Sequence, residues 1–288
     1  MSAGRLVLVA TPIGNLGDLS PRAAEALITC DVVVCEDTRR TGLLLQRIGA
    51  TSKRLIVANE HTEAHAATAV AQLLAGGSVV AVVTDAGTPG IADPGERLVL
   101  AALEVGAIIS IVPGPVAATA ALVISGLPAA RHVHEGFLPR SGRERQLRVA
   151  EAVCEQRTVV MYEAPHRLHR LLDELSEAGA GSRAVVLVRE LTKLHEEVWR
   201  GCVDEARLHV TDIAPRGEYV VILAAAPVAP VDLDSELASA LATGVRPRDA
   251  ASDVAKRLGV SRNLAYSRAL ELSQVGRTQR ETPLVGHT

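Results

Sequence analysis

Short, unbroken apolar runs recur through the first part of the chain, at residues 6–10, 31–35, 55–58, 78–83 and 108–112. Each is strand-length and lacks the alternation of a half-solvated strand, so each reads as a strand buried on both faces. Helical patterns lie between them at 21–29, 63–75, 96–105 and 116–125. Ser20-Pro21 supplies a helix start, with serine as N-cap and proline at the first helical position; Gly76-Gly77 and Gly106 supply stops. Strand–helix alternation of this kind predicts an α/β architecture with a parallel sheet. It resumes further on, with strands at 158–162, 184–189 and 219–224, a helical pattern at 168–178, and Trp199-Arg200-Gly201 between the later strands.

The sharpest break in the pattern is Val82-Val83-Thr84-Asp85-Ala86-Gly87-Thr88-Pro89-Gly90-Ile91-Ala92-Asp93-Pro94-Gly95. It ends an apolar run and then packs glycines, prolines and aspartates into a stiff loop rich in bare main-chain groups. At the carboxyl end of a parallel strand, such a loop is where open α/β sheets bind small molecules. The first strand ends in a similar turn, Thr11-Pro12-Ile13-Gly14-Asn15-Leu16-Gly17, and strand two ends at Glu36-Asp37. This beginning imitates a dinucleotide fold but lacks G-x-G-x-x-G, so a ligand without a pyrophosphate fits better. S-adenosylmethionine is one such ligand.

After Gly126-Leu127-Pro128 the composition shifts: residues 131–148 hold five arginines against two glutamates. This predicts domains at 1–127 and 128–228, followed by a linker and helical module at 229–288. Within that module, helices at 249–258 and 262–272 flank Gly259-Val260-Ser261, a helix-turn-helix spacing, and residues 246–280 carry eight basic and three acidic side chains. The whole chain is at −3, so contact with nucleic acid must come from local patches. With one Trp, one Phe and three Tyr, stacking of bases on aromatic platforms is not expected as the main mode of binding. The four cysteines form neither a zinc spacing nor a disulfide framework and read as small buried apolar residues; no metal is called for. No apolar run approaches the ~18 residues of a membrane span and no signal segment precedes the first strand, which predicts a cytoplasmic protein.

Several motifs occur together and in order: Thr11-Pro12-Ile13-Gly14-Asn15-Leu16, Glu36-Asp37-Thr38-Arg39, Asp85-Ala86-Gly87-Thr88-Pro89, Asp93-Pro94-Gly95 and Pro113-Gly114-Pro115. They continue with Glu135-Gly136-Phe137-Leu138-Pro139, Tyr162-Glu163-Ala164-Pro165-His166-Arg167 and Arg189-Glu190-Leu191-Thr192-Lys193. Over residues 5–272 the chain resembles the RsmI family, small-subunit ribosomal RNA cytidine 2′-O-methyltransferases of the tetrapyrrole-methylase fold. The resemblance implies two α/β domains with S-adenosylmethionine in the cleft between them, usually in a homodimer. It also implies a target ribose 2′-hydroxyl in the decoding region of 16S rRNA, free or in the assembled small subunit. Carried over by motif, the cofactor groups are Ile13 and Gly14, then Asp85, Thr88 and Ile91, then Val116 and Ala117. Tyr162, Glu163, Leu191, Thr192 and Gly217 complete them. Related tetrapyrrole methylases carry Gly-Asp-Pro where this chain has Gly87-Thr88-Pro89, so the aspartate's role is expected to have passed to Asp85 or vanished.

A ribose hydroxyl is a poor nucleophile until its proton is shared. Glu36, Asp37, Glu60, His61, Asp85, His166, Glu190 and Lys193 all fall at expected strand ends facing one cleft; Glu36, Asp37 and Lys193 are the first choices for catalysis. Glu36 and Asp37 are equally suited to pairing with Arg39 and Arg40 or to capping the next helix. Arg39, Arg140, Arg143, Arg145 and Arg167 are the expected phosphate-neutralising groups. Two other readings stay open: a precorrin-type tetrapyrrole methyltransferase of the same fold, and a non-catalytic nucleic-acid-binding protein acting through its terminal helices. The missing phosphate-cradling glycines put a nicotinamide enzyme further off.

Overall fold

The computed structural model describes residues 4–59, 61–212, 215–227 and 232–280. It divides into two compact units, Met1–Ala226 and Pro227–Thr288. In the first unit, β1 (Arg5–Val9), β2 (Val32–Cys35), β3 (Arg54–Val57), β4 (Val79–Val82) and β5 (Ile108–Val112) form a sheet ordered β3-β2-β4-β1-β5, parallel throughout. Helices α1 (Pro21–Thr29) and α2 (Thr38–Arg47) cover one face through Ala23, Leu27 and Leu45. On the other face lie α3 (Glu63–Ala75) and α4 (Glu96–Glu104), packed through Val70, Leu74, Leu98 and Ala102. The start of α1 follows the expected chemistry: the Ser20 hydroxyl accepts from the Ala23 N–H at 3.1 Å, with Pro21 at the first position. Such a cap is worth about 1 kcal/mol over alanine.

The chain then changes layer. The alanine-rich α5 (Ala117–Ser125) packs on a second sheet, through Ala118, Ala121 and Leu122 against Val160, Val186, Val188, Val220 and Ile222. That sheet comprises β6 (His132–Phe137), β7 (Thr158–Glu163), β8 (Ala184–Arg189), β9 (Glu197–Cys202) and β10 (Tyr219–Leu223), ordered β6-β7-β10-β8-β9. Its other face is covered by α6 (Gly142–Cys154), α7 (Pro165–Leu175) and α8 (Val203–Asp212), through Val149, Leu168, Leu172, Val203 and Val210. Strict alternation along β8, with Val185 and Leu187 toward one core and Val186 and Val188 toward the other, is the period of a strand buried on both sides. Unlike the first sheet this one is mixed: β6 and β7 are parallel, while β10 inserts antiparallel between β7 and β8.

The second unit holds α9 (Leu233–Ala242), α10 (Pro247–Leu258) and α11 (Arg262–Arg280) around Leu237, Val254, Ala265 and Ala269. Gly259, at φ +67°, ends α10 in the left-handed region, as the glycine turn predicts. Helix α9 is an addition to the expected pair. Asp232 caps it by accepting from the Asp234 N–H at 3.0 Å. The cysteines are all unpaired, but Cys154 is exposed and Cys202 half-buried, so burial holds for Cys30 and Cys35 alone. Among the described residues no helix is long and apolar enough to cross a membrane.

Candidate active site

Strands β1 and β4 are neighbours, so the turns at their carboxyl ends run side by side. The Thr11 and Gly87 backbones exchange hydrogen bonds at 2.9 and 3.1 Å, and the Thr11 hydroxyl donates to the Thr84 carbonyl at 3.2 Å. Two further contacts brace the glycine–proline loop. The Thr88 hydroxyl donates to the Pro115 carbonyl at 3.1 Å, tying it to the turn before α5. At the other end Glu63 on α3 accepts from the Gly95 N–H at 2.7 Å and from the Arg97 N–H at 3.2 Å, a carboxylate on the positive end of α4. Ala92, at φ +61°, holds the loop in a conformation that costs a non-glycine residue about 1–3 kcal/mol.

This loop forms one wall of a cavity of about 310 Å³; the ends of β7, β8 and β10 form the other. Ile13, Thr88, Ile91, Val116, Ala117, Tyr162, Glu163 and Leu191, all expected around a cofactor, line it, with Lys193 at its edge. Val188, Val220, Phe137, Asp93 and Glu218 also line it, and the sequence reading had given none of these a role. Asp93 and Phe137 do sit in motifs evident in the sequence, Asp93-Pro94-Gly95 and Glu135-Gly136-Phe137-Leu138-Pro139, but nothing local shows that either faces a cavity. Tyr162 accepts from the Ala118 N–H at 3.0 Å, at the start of α5, and lies edge-on to His134 and tilted against Phe137.

A second groove, of about 400 Å³, adjoins the first and shares Ile13, Ala86, Lys193 and Glu218 with it. Gly14, Asp85, Arg40 and Arg47 line this groove. Asp85 therefore lies beside the main cavity rather than in its lining. One of its oxygens pairs with Arg40 at 3.4 Å, and the other is buried without a hydrogen-bond partner among the described residues. Thr192 and Gly217 line neither space. Gly217, at φ +76°, sits against the Glu190 side chain, where a Cβ would collide, and Thr192, at φ +67°, presses on Gly14.

The structure alters several of the expected charge roles. Asp37 is the N-cap of α2 and chelates Arg39, accepting from its backbone N–H at 2.8 Å and its guanidinium at 2.6 Å. The Arg39 side-chain hydrogen bond holds the Asp37 carboxyl down at about 2, so Asp37 is a poor proton acceptor, and the Arg39 head is already engaged. Lys193 donates to Glu190 at 2.9 Å and to Glu218 at 2.8 Å. Burial opposes its charge, but the hydrogen bonds to Glu218 and Glu190 outweigh it and raise the pKa; Lys193 is an ammonium and accepts no proton. Glu36 is pushed up by burial and by Asp85, and it lines neither space.

Arg145 is fully buried and so cannot meet a phosphate. It binds Glu174 at 2.7 Å, the Pro139 carbonyl at 2.9 Å and, at 3.6 Å, the buried Glu163. Arg167 takes the other Glu163 oxygen at 2.6 Å, which makes it a structural partner more than a surface cation. Arg140 and Arg143 are exposed, as a phosphate contact requires. His61 and His166 are also exposed, and Glu60 lies outside the described residues.

Two sequence profiles match the chain: "Tetrapyrrole (Corrin/Porphyrin) Methylases" over residues 5–207 and "RsmI C-terminal HTH domain" over residues 227–273. A Mycobacterium tuberculosis protein named Ribosomal RNA small subunit methyltransferase I is 45% identical over 261 residues, covering 88% of this chain and 90% of that protein. A protein of the same name from Synechocystis is 41% identical over 281 residues, covering 95% and 100%. Among solved structures, the methyltransferase CobJ aligns with a TM-score of 0.60 at 21% identity, covering 80% of this chain and 97% of that one, a likeness of fold.

Proposed function

Because the chain belongs to the tetrapyrrole methylase family, and within it to the RsmI family, we propose that it methylates the ribose 2′-hydroxyl of a cytidine in the decoding region of 16S rRNA. The methyl donor is S-adenosylmethionine. The observation that carries this reading is the cavity where strand-end loops of both sheets converge, next to a groove bearing Arg40, Arg47 and Lys193. The cavity fits the donor: Ile13, Ile91, Val116, Ala117, Val188, Leu191 and Val220 suit an adenosine, and Thr88, Asp93 and Glu218 add polar groups. When bound, the donor supplies an electrophilic methyl carbon on a sulfonium. The chain's own residues position the acceptor oxygen, exclude water and carry charge.

Arg140 and Arg143, exposed at and just before the start of α6, and the groove arginines are the RNA-facing groups of the first unit in this reading; the second unit contributes basic helices of its own. Part of that second unit's charge is spent internally, since Arg257 pairs with Glu236 and Arg268 with Asp234. Exposed apolar side chains on α4, β5 and α5 (Leu100, Leu103, Ile108, Ile111, Val123) supply apolar surface for a second copy to cover in the homodimer of this reading. A ribosomal substrate places the enzyme in the cytoplasm.

Incubating the protein with methyl-labelled donor and undermethylated small subunits should put label into 16S rRNA at a linkage that then resists alkaline cleavage, because the 2′-oxygen is blocked. Label entering a precorrin and no RNA would overturn the reading. The arginines make a separate prediction. Arg143→Gln should reduce the slope of log affinity against log salt for the small subunit by roughly 1. An unchanged slope would remove Arg143 from the interface.

A further inference from the structure

Phe137 is the chain's one phenylalanine, and it is not packed in a core. It lines the cavity yet is 54% exposed, which puts it where the cavity opens. The backbone turns it there. Strand β6 is an edge strand whose register against β7 slips by one residue between His134 and Gly136, with Gly136 at φ +66°. The extra residue brings Phe137 level with Tyr162; without it Phe137 would fall level with Glu163, whose side chain turns to Arg145 of α6 and Arg167 of α7. Tyr162 backs the ring at a centroid distance of 5.3 Å and is itself pinned by the Ala118 N–H at 3.0 Å. The apolar side chains suited to the donor's adenosine include the buried Val188 and Val220, so the exposed ring lies at the outer end of the cavity. The segment after it is cationic. Arg140 and Arg143 are exposed, whereas Arg145 and Arg148 are drawn to Glu163, Glu174 and Glu135.

We propose that Phe137 is the platform on which the base of the target nucleotide stacks, holding its ribose at the cavity while neighbouring phosphates meet Arg140 and Arg143. The inference rests on the ribose-methylation reading. A flat π face half open to water takes a planar partner, and a nucleobase offers one once it leaves its own stack. The target nucleotide is therefore bound unstacked from its neighbours. Exposed cations beside the ring favour a polyanion over an apolar protein segment or a second copy of the chain. Tyr162 supports the ring from behind, so its position is set before the base arrives. One platform is enough in a chain this poor in aromatics: it orients a single base, and charge supplies the rest of the attraction.

The test compares three variants on undermethylated small subunits. Phe137→Ala should raise KM about 10–100-fold, while donor affinity by calorimetry stays within about 2-fold of wild type. Phe137→Leu keeps apolar bulk against Tyr162, and so the fold, but offers no π face; its KM should rise by a similar factor. Phe137→Trp restores a π face and should stay within about 3-fold of wild type. Stacking releases no counter-ion, so Phe137→Ala should weaken subunit binding without changing the slope of log affinity against log salt, unlike Arg143→Gln. An unchanged KM in the alanine and leucine variants would overturn the assignment. So would donor affinity lost in step with turnover, which would make the ring a wall of the donor site. A change of oligomeric state in light scattering would overturn it too, making the ring a contact between copies. Wild-type protein that puts no methyl on the ribose would instead sink the functional reading, and the inference with it.

Discussion

Replacing Arg145 with methionine is expected to destabilise the protein by about 3–5 kcal/mol, the cost of leaving half of a buried ion pair behind. The Arg145 side chain is 1% exposed, between Glu163 at 0% and Glu174 at 22%. Methionine fills much of the volume but satisfies neither acid nor the Pro139 carbonyl. Glu163 would keep Arg167, and Glu174 would keep Arg170 at 2.8 Å, so the acids remain charged while one of their counter-ions is gone. For a unit of this size the melting temperature should fall on the order of 10 °C. Adding Glu163→Gln should recover part of the loss, because the two residues form one network and their effects do not add. Scanning calorimetry on the single and double variants checks both statements. The outcome separates this role from the one that its position in a basic stretch suggests. A phosphate-binding surface arginine would leave the melting temperature unchanged and weaken RNA binding alone.

Gly14→Ala should weaken S-adenosylmethionine binding about 10-fold or more, equivalent to about 1.4 kcal/mol. A Cβ at Gly14 would lie 2.5 Å from Lys193 Cγ, 2.7 Å from Thr192 Oγ1 and 3.2 Å from the Leu191 carbonyl. The lysine stem can swing aside, but doing so breaks its bonds to Glu190 and Glu218 at the junction of cavity and groove. The Leu191 carbonyl is backbone and yields only by moving the segment after β8, where Glu190 and Thr192 already sit at φ +49° and +67°. The glycine is thus required by close approach: it is where the first turn of one sheet meets the tip of the other. Titration calorimetry of the variant is the check. Unaltered affinity would mean that this contact is not part of the donor site.

The two variants probe different layers of information. That glycine belongs in the first turn is apparent from the Thr11-Pro12-Ile13-Gly14 motif, but its neighbour across the cleft is not. For Arg145 even the environment is not legible in the sequence. Five arginines in eighteen residues look like a surface patch, yet α6 turns one of them inward to Glu163 and Glu174. Charge along a sequence says nothing about which side of a helix faces the core when acids from distant strands and helices can neutralise it there. The same blindness applied to Asp37 and Lys193. Both were chosen as reactive from their place at strand ends, and both turn out to be held by partners, Arg39 in one case and Glu190 with Glu218 in the other.

By itself the amino-acid sequence determined the strands of the first sheet, the Ser20-Pro21 helix start, the glycine–proline loops at strand ends and part of the cavity wall. All of these follow from local apolar runs and from backbone preferences of Gly and Pro, which act over a few residues. Tertiary structure decided that α5 crosses to the second sheet, that β10 enters it antiparallel, and which acids keep a free charge in the cavity. A buried apolar strand reads the same in either direction, and an ion pair depends on distances between residues far apart in the chain.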